Sequence, residues 1–181
     1  MTARSTAAAL GAALTLTVSA CAADGPTAPD DHNRVDVMFA QMMIPHHVDA
    51  IAMSQALLQA DGVDAEVRDL ARSVAGSQSQ ENTRMNDWLG ARELERVDDT
   101  VPEITAQDLE AVPADELQEV FLRQMTVHHE HGVQMADRVV TDGSSTEMVE
   151  LAAGMVAAQT AEIEQMADLL PAASSDPEES S

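Results

Sequence analysis

Phe39-Ala40-Gln41-Met42-Met43-Ile44-Pro45-His46-His47-Val48-Asp49-Ala50-Ile51-Ala52-Met53 decides the fold, because the chain carries it twice. Its echo runs Phe121-Leu122-Arg123-Gln124-Met125-Thr126-Val127-His128-His129-Glu130-His131-Gly132-Val133-Gln134-Met135. Phe, Met, both His and the last Met coincide at an offset of 82, from 39 to 121. A second block follows each copy. Leu70, Ala71, Gln78, Glu81, Met85, Asp87 and Leu89 align with Leu151, Ala152, Gln159, Glu162, Met166, Asp168 and Leu170, at an offset of 81. Two blocks in the same order at nearly one offset mark a duplication.

Each block has helical periodicity. Val67, Leu70, Ala71, Val74, Gln78, Glu81, Met85 and Leu89 step by three and four, and Met148, Leu151, Ala152, Met155, Gln159, Glu162, Met166 and Leu170 repeat the stripe. Val35, Phe39, Met42, Met43, His46, Ala50, Met53 and Leu57 form a comparable stripe in the first block. Breaks fall at Asp61-Gly62, between Asp98 and Pro113, and at Asp142-Gly143-Ser144-Ser145. In the middle break, Thr105 to Asp108 is placed to cap a short extra turn. Short joins within each pair and a longer join between pairs predict an all-α, ferritin-like four-helix bundle made of two repeated hairpins. Pro45 removes a backbone donor and is expected to bend the first helix before the histidines.

Composition agrees and excludes other classes. The chain has 181 residues, 45% of them hydrophobic, which suits one domain with tails. Only 2 Phe and 1 Trp are present and Tyr is absent, which argues against a β-sandwich or barrel. Acidic residues number 32 against 9 basic, all of them Arg, so the net charge is -23 and nucleic acid is not an expected partner. One Cys excludes a disulfide framework and a thiolate zinc site. The 11 methionines are the unusual feature.

The ends read as processing and tether. Residues 1–20 suit a lipoprotein signal peptide: Arg4 precedes an apolar run, Ala7 to Val18, too short to span a bilayer. Val18-Ser19-Ala20-Cys21 resembles the lipobox of bacterial lipoproteins, in which the Cys is lipidated and becomes the N-terminus. An ordinary signal cleavage near Ala20 or Ala23 is the alternative. Residues 21–32 read as a flexible tether, 33–170 as the duplicated domain and 171–181 as a disordered acidic tail. The expected location is outside the cytoplasm, at the outer face of a bacterial cell membrane.

The informative residues are the polar ones inside apolar stripes. Gln78 and Glu81 sit mid-stripe in the second helix, and Gln159 and Glu162 in the fourth. A buried carboxylate needs a partner. His46-His47 and His128-His129 supply candidates at similar depth. Adjacent helical residues point about 100° apart. His46 lies about 20° from the line of the stripe and His47 about 80°, so His46 and His128 are expected as the inner pair, with His47 and His129 flanking, either as ligands or facing the neighbouring helix. Met43, Met53 and Met85 recur near these histidines, as do Met125, Met135 and Met166 in the second copy. Imidazole with thioether suits cuprous copper or silver, whereas thioethers are poor ligands for iron, magnesium or calcium. Glu81 and Glu162, with Gln78 and Gln159, are candidate accessory ligands or orienters of His. Met38, Met42, Met148 and Met155 are expected as core filler or accessory ligands, His131 as peripheral, and His32, in the tether, as an accessory ligand or no ligand at all. Ala50 and Gly132, small and one turn past the inner His, leave room for a ligand or a close helix approach. Ligand histidines must be neutral, so metal binding is expected to weaken as pH falls through the histidine range.

With these residues assembled, the sequence resembles the domain-of-unknown-function family 305. The matching elements are Phe39, Met43-Ile44-Pro45-His46-His47, Ala50 and Met53, then Gln78, Glu81, Met85 and Trp88-Leu89, with the second copy matching at Phe121, Met125, His128, His129, Met135, Gln159, Glu162, Met166 and Leu170. The second copy departs at Thr126, Val127 and Gly132. The resemblance implies a secreted or membrane-attached four-helix bundle, in a family with members associated with copper binding and tolerance. The first expectation is therefore a copper-binding lipoprotein that sequesters the metal or exchanges it with a protein partner. A metal-free structural or partner-binding bundle, with Gln, Glu and His in a buried hydrogen-bond network, is the second. A di-iron redox enzyme is the third, and the weakest. That class wants Glu three before His, where this chain has Met43 and Met125. No nucleophile–base set or phosphate loop stands out, so catalysis is not expected.

Overall fold

Asn33 starts the first helix through a capping box. Its Oδ1 accepts from the backbone N–H of Val35 at 2.7 Å and of Asp36 at 3.3 Å, while Asp36 Oδ2 accepts from the N–H of Asn33 at 2.8 Å. The computed structural model describes residues 32–100, 109, 112–113 and 116–170. The signal peptide, Cys21, most of the tether, the Thr105–Asp108 cap and the acidic tail lie outside the described residues.

Four helices follow in order: α1 (Arg34–Gln59), α2 (Ala65–Ala91), α3 (Leu117–Asp142) and α4 (Thr146–Leu169). The chain is an all-α four-helix bundle, as the duplicated periodicity requires. α1 packs along α2 and α3 along α4, and the two hairpins meet mainly through α1 against α3. α1 runs through Pro45 as one helix. α2 ends with Glu93 at φ 57, where the N–H of Leu94 donates to Leu89 C=O and that of Glu93 to Gly90 C=O. Asn86 then pins the departing chain, exchanging two hydrogen bonds with the backbone of Val97 at 2.9 and 3.0 Å.

Each hairpin holds the other's turn. Asp36, fully buried near the start of α1, accepts from the N–H groups of Ser144 at 3.0 Å and Ser145 at 3.1 Å, between α3 and α4. Gln118, its repeat equivalent near the start of α3, accepts from the N–H of Asp64 and donates to Asp64 Oδ2, both at 2.9 Å, between α1 and α2. Trp88 adds to the first clamp by donating Nε1–H to Ser145 Oγ at 3.2 Å. Sequence periodicity did not reveal these clamps, although the repeat offset pairs 36 with 118.

The apolar core is divided into two. One part gathers Phe39, Met43 and Ile44 of α1 with Met85, Trp88 and Leu89 of α2, Val139 of α3, and Met148, Leu151 and Met155 of α4. The other gathers Met53 and Leu57 with Leu70, Val74, Phe121, Leu122, Met125 and Met166. The repeat exchanges the two ends, so Met43 and Met85 of one core match Met125 and Met166 of the other. Between them, at mid-height, lie the histidines, Gln78, Glu81, Gln159 and Glu162.

Two expectations about packing need correction. Met42 was placed in the buried stripe of α1, yet it is 53% exposed, and Met38 is 43% exposed. Neither fills the core. Both line a shallow cleft between α1 and α3, beside Met135 and Val139. Met148 and Met155 are buried as expected.

Candidate metal centre

The two histidines of each pair serve different interfaces. His47 points to α2, where its Nε2 lies 2.8 Å from Glu81 Oε2. His129 points to α4, where its Nε2 lies 2.9 Å from Glu162 Oε2. His46 and His128 instead turn toward each other across α1 and α3. Their rings stack with centroids 3.6 Å apart and planes 30° apart. A rotation of about 100° between neighbours therefore sends one imidazole into its own hairpin and the next into the seam between hairpins.

This corrects the expected depth. His46 and His128 do form one pair, but His47 and His129 are the fully enclosed residues, whereas His46 and His128 are half-buried. The stripe of α1 alone gave the wrong ranking because α1 has two neighbours. Its apolar centre line marks the average of two contact directions.

The electrostatics favour neutral imidazoles at the seam. Burial pushes His46 down from 6.5 to about 2, helped by repulsion from His128 and His47. Burial likewise pushes His128 down to about 3, with repulsion from His129 and His47 adding to it. Neither ring nitrogen of His46 or of His128 has a hydrogen-bond partner. His47 and His129 each leave Nδ1 without one as well. When Nε2–H donates to the carboxylate, the tautomer is fixed and Nδ1 keeps its lone pair. The amides of Gln78 and Gln159, both buried, also lack partners. Buried polar atoms are ordinarily paired, so a layer with this many unpaired acceptors and donors asks for a ligand. Among the described residues, no three His, Cys, Asp or Glu side chains converge to hold an ion by themselves.

The thioethers border this layer. Met43 and Met125 sit one turn before the histidines and are fully buried, as are Met53, Met85 and Met166. Met135 is half-buried against the first core. Thr126 Oγ1 donates to Leu122 C=O at 2.8 Å and lies 3.7 Å from Met166 Sδ. Every one of these six therefore has a packing role. A cleft lined by Met53, Gln124, Val127, His128 and His131 opens the seam to solvent. His131, expected as peripheral, thus stands at its mouth.

Gly132 serves a close approach. A methyl group at this position would strike the Oε1 of Gln159. Two residues of the layer gave no periodic signal. Asn82 is buried and donates Nδ2–H to Ile44 C=O at 3.2 Å, and Ser54 is buried without a partner for its hydroxyl. Asn82 corresponds to Ile163 in the second copy, so the repeat hid it.

Residues 36–170 match the family described as Domain of unknown function (DUF305). The chain belongs to this family. Among solved structures, a DUF305 protein of Streptomyces coelicolor is 33% identical, with a TM-score of 0.67 over 75% of this chain and 89% of that one. CopM in its Cu(I)-bound form is 31% identical, with a TM-score of 0.66 over 74% of this chain and 94% of that one. CopM is also solved in Ag-bound and Cu(II)-bound forms. A DUF305 fragment from Deinococcus radiodurans shares the fold at 24% identity, with a TM-score of 0.68 over 76% of this chain and 96% of that one. The comparison with curated proteins found no match. Among the described residues of this DUF305 chain, no helix is long and apolar enough to cross a membrane.

Proposed function

We propose that this DUF305 protein binds cuprous copper outside the cytoplasm and sequesters it or hands it on. The observation that carries the reading is the stacked His46–His128 pair, neutral and with no partner on any of its four ring nitrogens. One nitrogen of each neutral ring carries a free lone pair and can bind a metal without prior loss of a proton. Thioethers at both borders of the layer make the donor set soft, which suits Cu(I) and Ag(I). The likeness to CopM, solved with both ions, supports the same choice. Glu81 and Glu162 would orient His47 and His129 through Nε2. Met43, Met53, Met85, Met125 and Met166, all fully buried, are the proposed thioether donors of this layer, with Gln78 and Gln159 accessory; half-buried Met135 lines a separate cleft.

Lipidation of Cys21 would hold the domain at the outer face of the membrane, with residues 21–32 as tether. A metal-exchange protein is the expected partner in delivery.

Anaerobic titration with Cu(I) against a chromophoric chelator tests the reading. Saturable binding is expected in the wild type, with affinity at least about a hundredfold lower in the His46→Ala/His128→Ala variant. Equal affinity in the two proteins defeats the assignment. Cys21→Ala should move the protein from the membrane fraction to the soluble one. Unchanged partition sinks the anchor.

A further inference from the structure

We infer that Met38, Met42 and Met135 form a second, surface site that captures a soft monovalent cation, Cu(I) or Ag(I), before the buried layer receives it. The choice of ion rests on the copper reading above; the site itself rests on other observations. Met38 and Met42 are one helical turn apart on α1 and are 43% and 53% exposed. Large apolar side chains on a strongly acidic surface cost hydration free energy and contribute little packing. Both line one cleft of about 140 Å³ with Met135 from α3, over a floor that includes Phe39 and Val139. Three thioethers facing one small cleft, with no carboxylate or imidazole lining it, form a donor set that hard cations do not use.

The duplication supplies a control within the molecule. At the offset of 82, Met38 corresponds to Val120 and Met42 to Gln124, while Met135 corresponds to Met53. Met53 and Gln124, the equivalents of Met135 and Met42, also share a cleft, lined besides by Arg123, Val127, His128 and His131. The fold therefore accepts a polar residue at the position of Met42, so its methionine is no packing requirement. The two thioethers belong to one end of the bundle only. Met38, Met42 and His46 also stand at successive i, i+4 positions of α1, which places them along one face leading to the buried pair. Arg138 lines the same cleft, and its long exposed side chain can keep the guanidinium in water while its stem covers the apolar wall. The net charge of -23 offsets this single cation in the field that an approaching metal ion meets.

The test is a titration of the full-length protein with Ag(I), read on the methyl resonances of 13C-labelled methionine. The methyls of Met38, Met42 and Met135 are expected to shift together within one equivalent. The Met38→Leu/Met42→Leu variant conserves volume at exposed positions and is expected to bind one Ag(I) fewer. Met135→Leu alone is expected to weaken the site at least about tenfold, since three thioethers share the ion. Unmoved Met38 and Met42 methyls at saturation overturn the inference. So does unchanged stoichiometry in the double variant. An unaltered affinity in Met135→Leu also overturns it, leaving two isolated surface thioethers. In His46→Ala/His128→Ala the cleft should still respond, and loss of that response would deny a separate site. That variant binding as many ions as the wild type would defeat the buried-pair reading and leave the cleft result standing.

Discussion

His46 and His128 present their imidazole faces to each other at 3.6 Å, one from each copy of the duplicated hairpin. Two like bases in contact, largely shielded from water, cannot both hold a proton cheaply. The seam between hairpins is thus closed by neutral rings, and this has a consequence for stability.

Both groups are lowered in the folded state, to about 2 and about 3, from 6.5. Above pH 6.5 folded and unfolded chains are both neutral at these positions, and the pair adds no pH dependence. Below it the unfolded chain takes up protons that the folded one refuses, so stability falls as pH falls from 6.5 toward 3. The slope is up to about 1.4 kcal/mol per pH unit for each histidine. Urea unfolding of the metal-free protein between pH 7 and 5 should show this slope, and His46→Ala/His128→Ala should lose most of it. Parallel slopes in the two proteins would contradict the neutral-pair account. Burial thus disfavours protonation of these two rings, and proton competition with metal is expected at them below the ordinary histidine range.

Glu81 and Glu162 hold His47 and His129 through Nε2 at 2.8 and 2.9 Å. Replacing either by Leu removes the acceptor that fixes the tautomer. Cu(I) affinity is expected to fall about 10- to 100-fold, with a smaller loss for Gln, whose carbonyl still accepts. Chelator competition measures it. Wild-type affinity in Glu81→Leu/Glu162→Leu would remove the carboxylates from the site.

Met43 and Met125 are wholly enclosed, so packing and coordination are confounded in any truncation. Leu conserves most of the volume. Met43→Leu/Met125→Leu should change folding free energy by less than about 1.5 kcal/mol per site. Cu(I) affinity should nevertheless drop at least about tenfold. If melting and metal affinity both stay at wild-type values, these thioethers are core and nothing more.

Asp36 accepts from the N–H groups of Asn33, Ser144 and Ser145 while fully buried. Asp36→Ala leaves these donors without an acceptor at two helix starts. A loss of about 2–4 kcal/mol is expected from the cap and the charge-assisted bonds together. Thermal unfolding gives the value. Gln118→Ala, at the equivalent but exposed clamp, should cost under about 1 kcal/mol. Equal losses at the two positions would show that burial does not separate them.

The amino-acid sequence determined the duplication, the four helices and the level at which polar residues interrupt the apolar stripes. These are local properties: a stripe at a spacing of three and four is visible in one helix, and a repeat needs only a second copy for comparison. The same stripes brought His, Gln and Glu to one height in the bundle. Tertiary structure alone decided which neighbour each side chain meets. α1 contacts α2 on one side and α3 on the other, so His47 joins Glu81 within its hairpin while His46 reaches His128 across the seam. One helix's periodicity averages over those two directions, which is why it ranked His46 as the deeper residue and counted Met42 in the core. The clamps of Asp36 on Ser145 and of Gln118 on Asp64 link residues distant in sequence. They exist only because the second hairpin lies against the first with its ends exchanged.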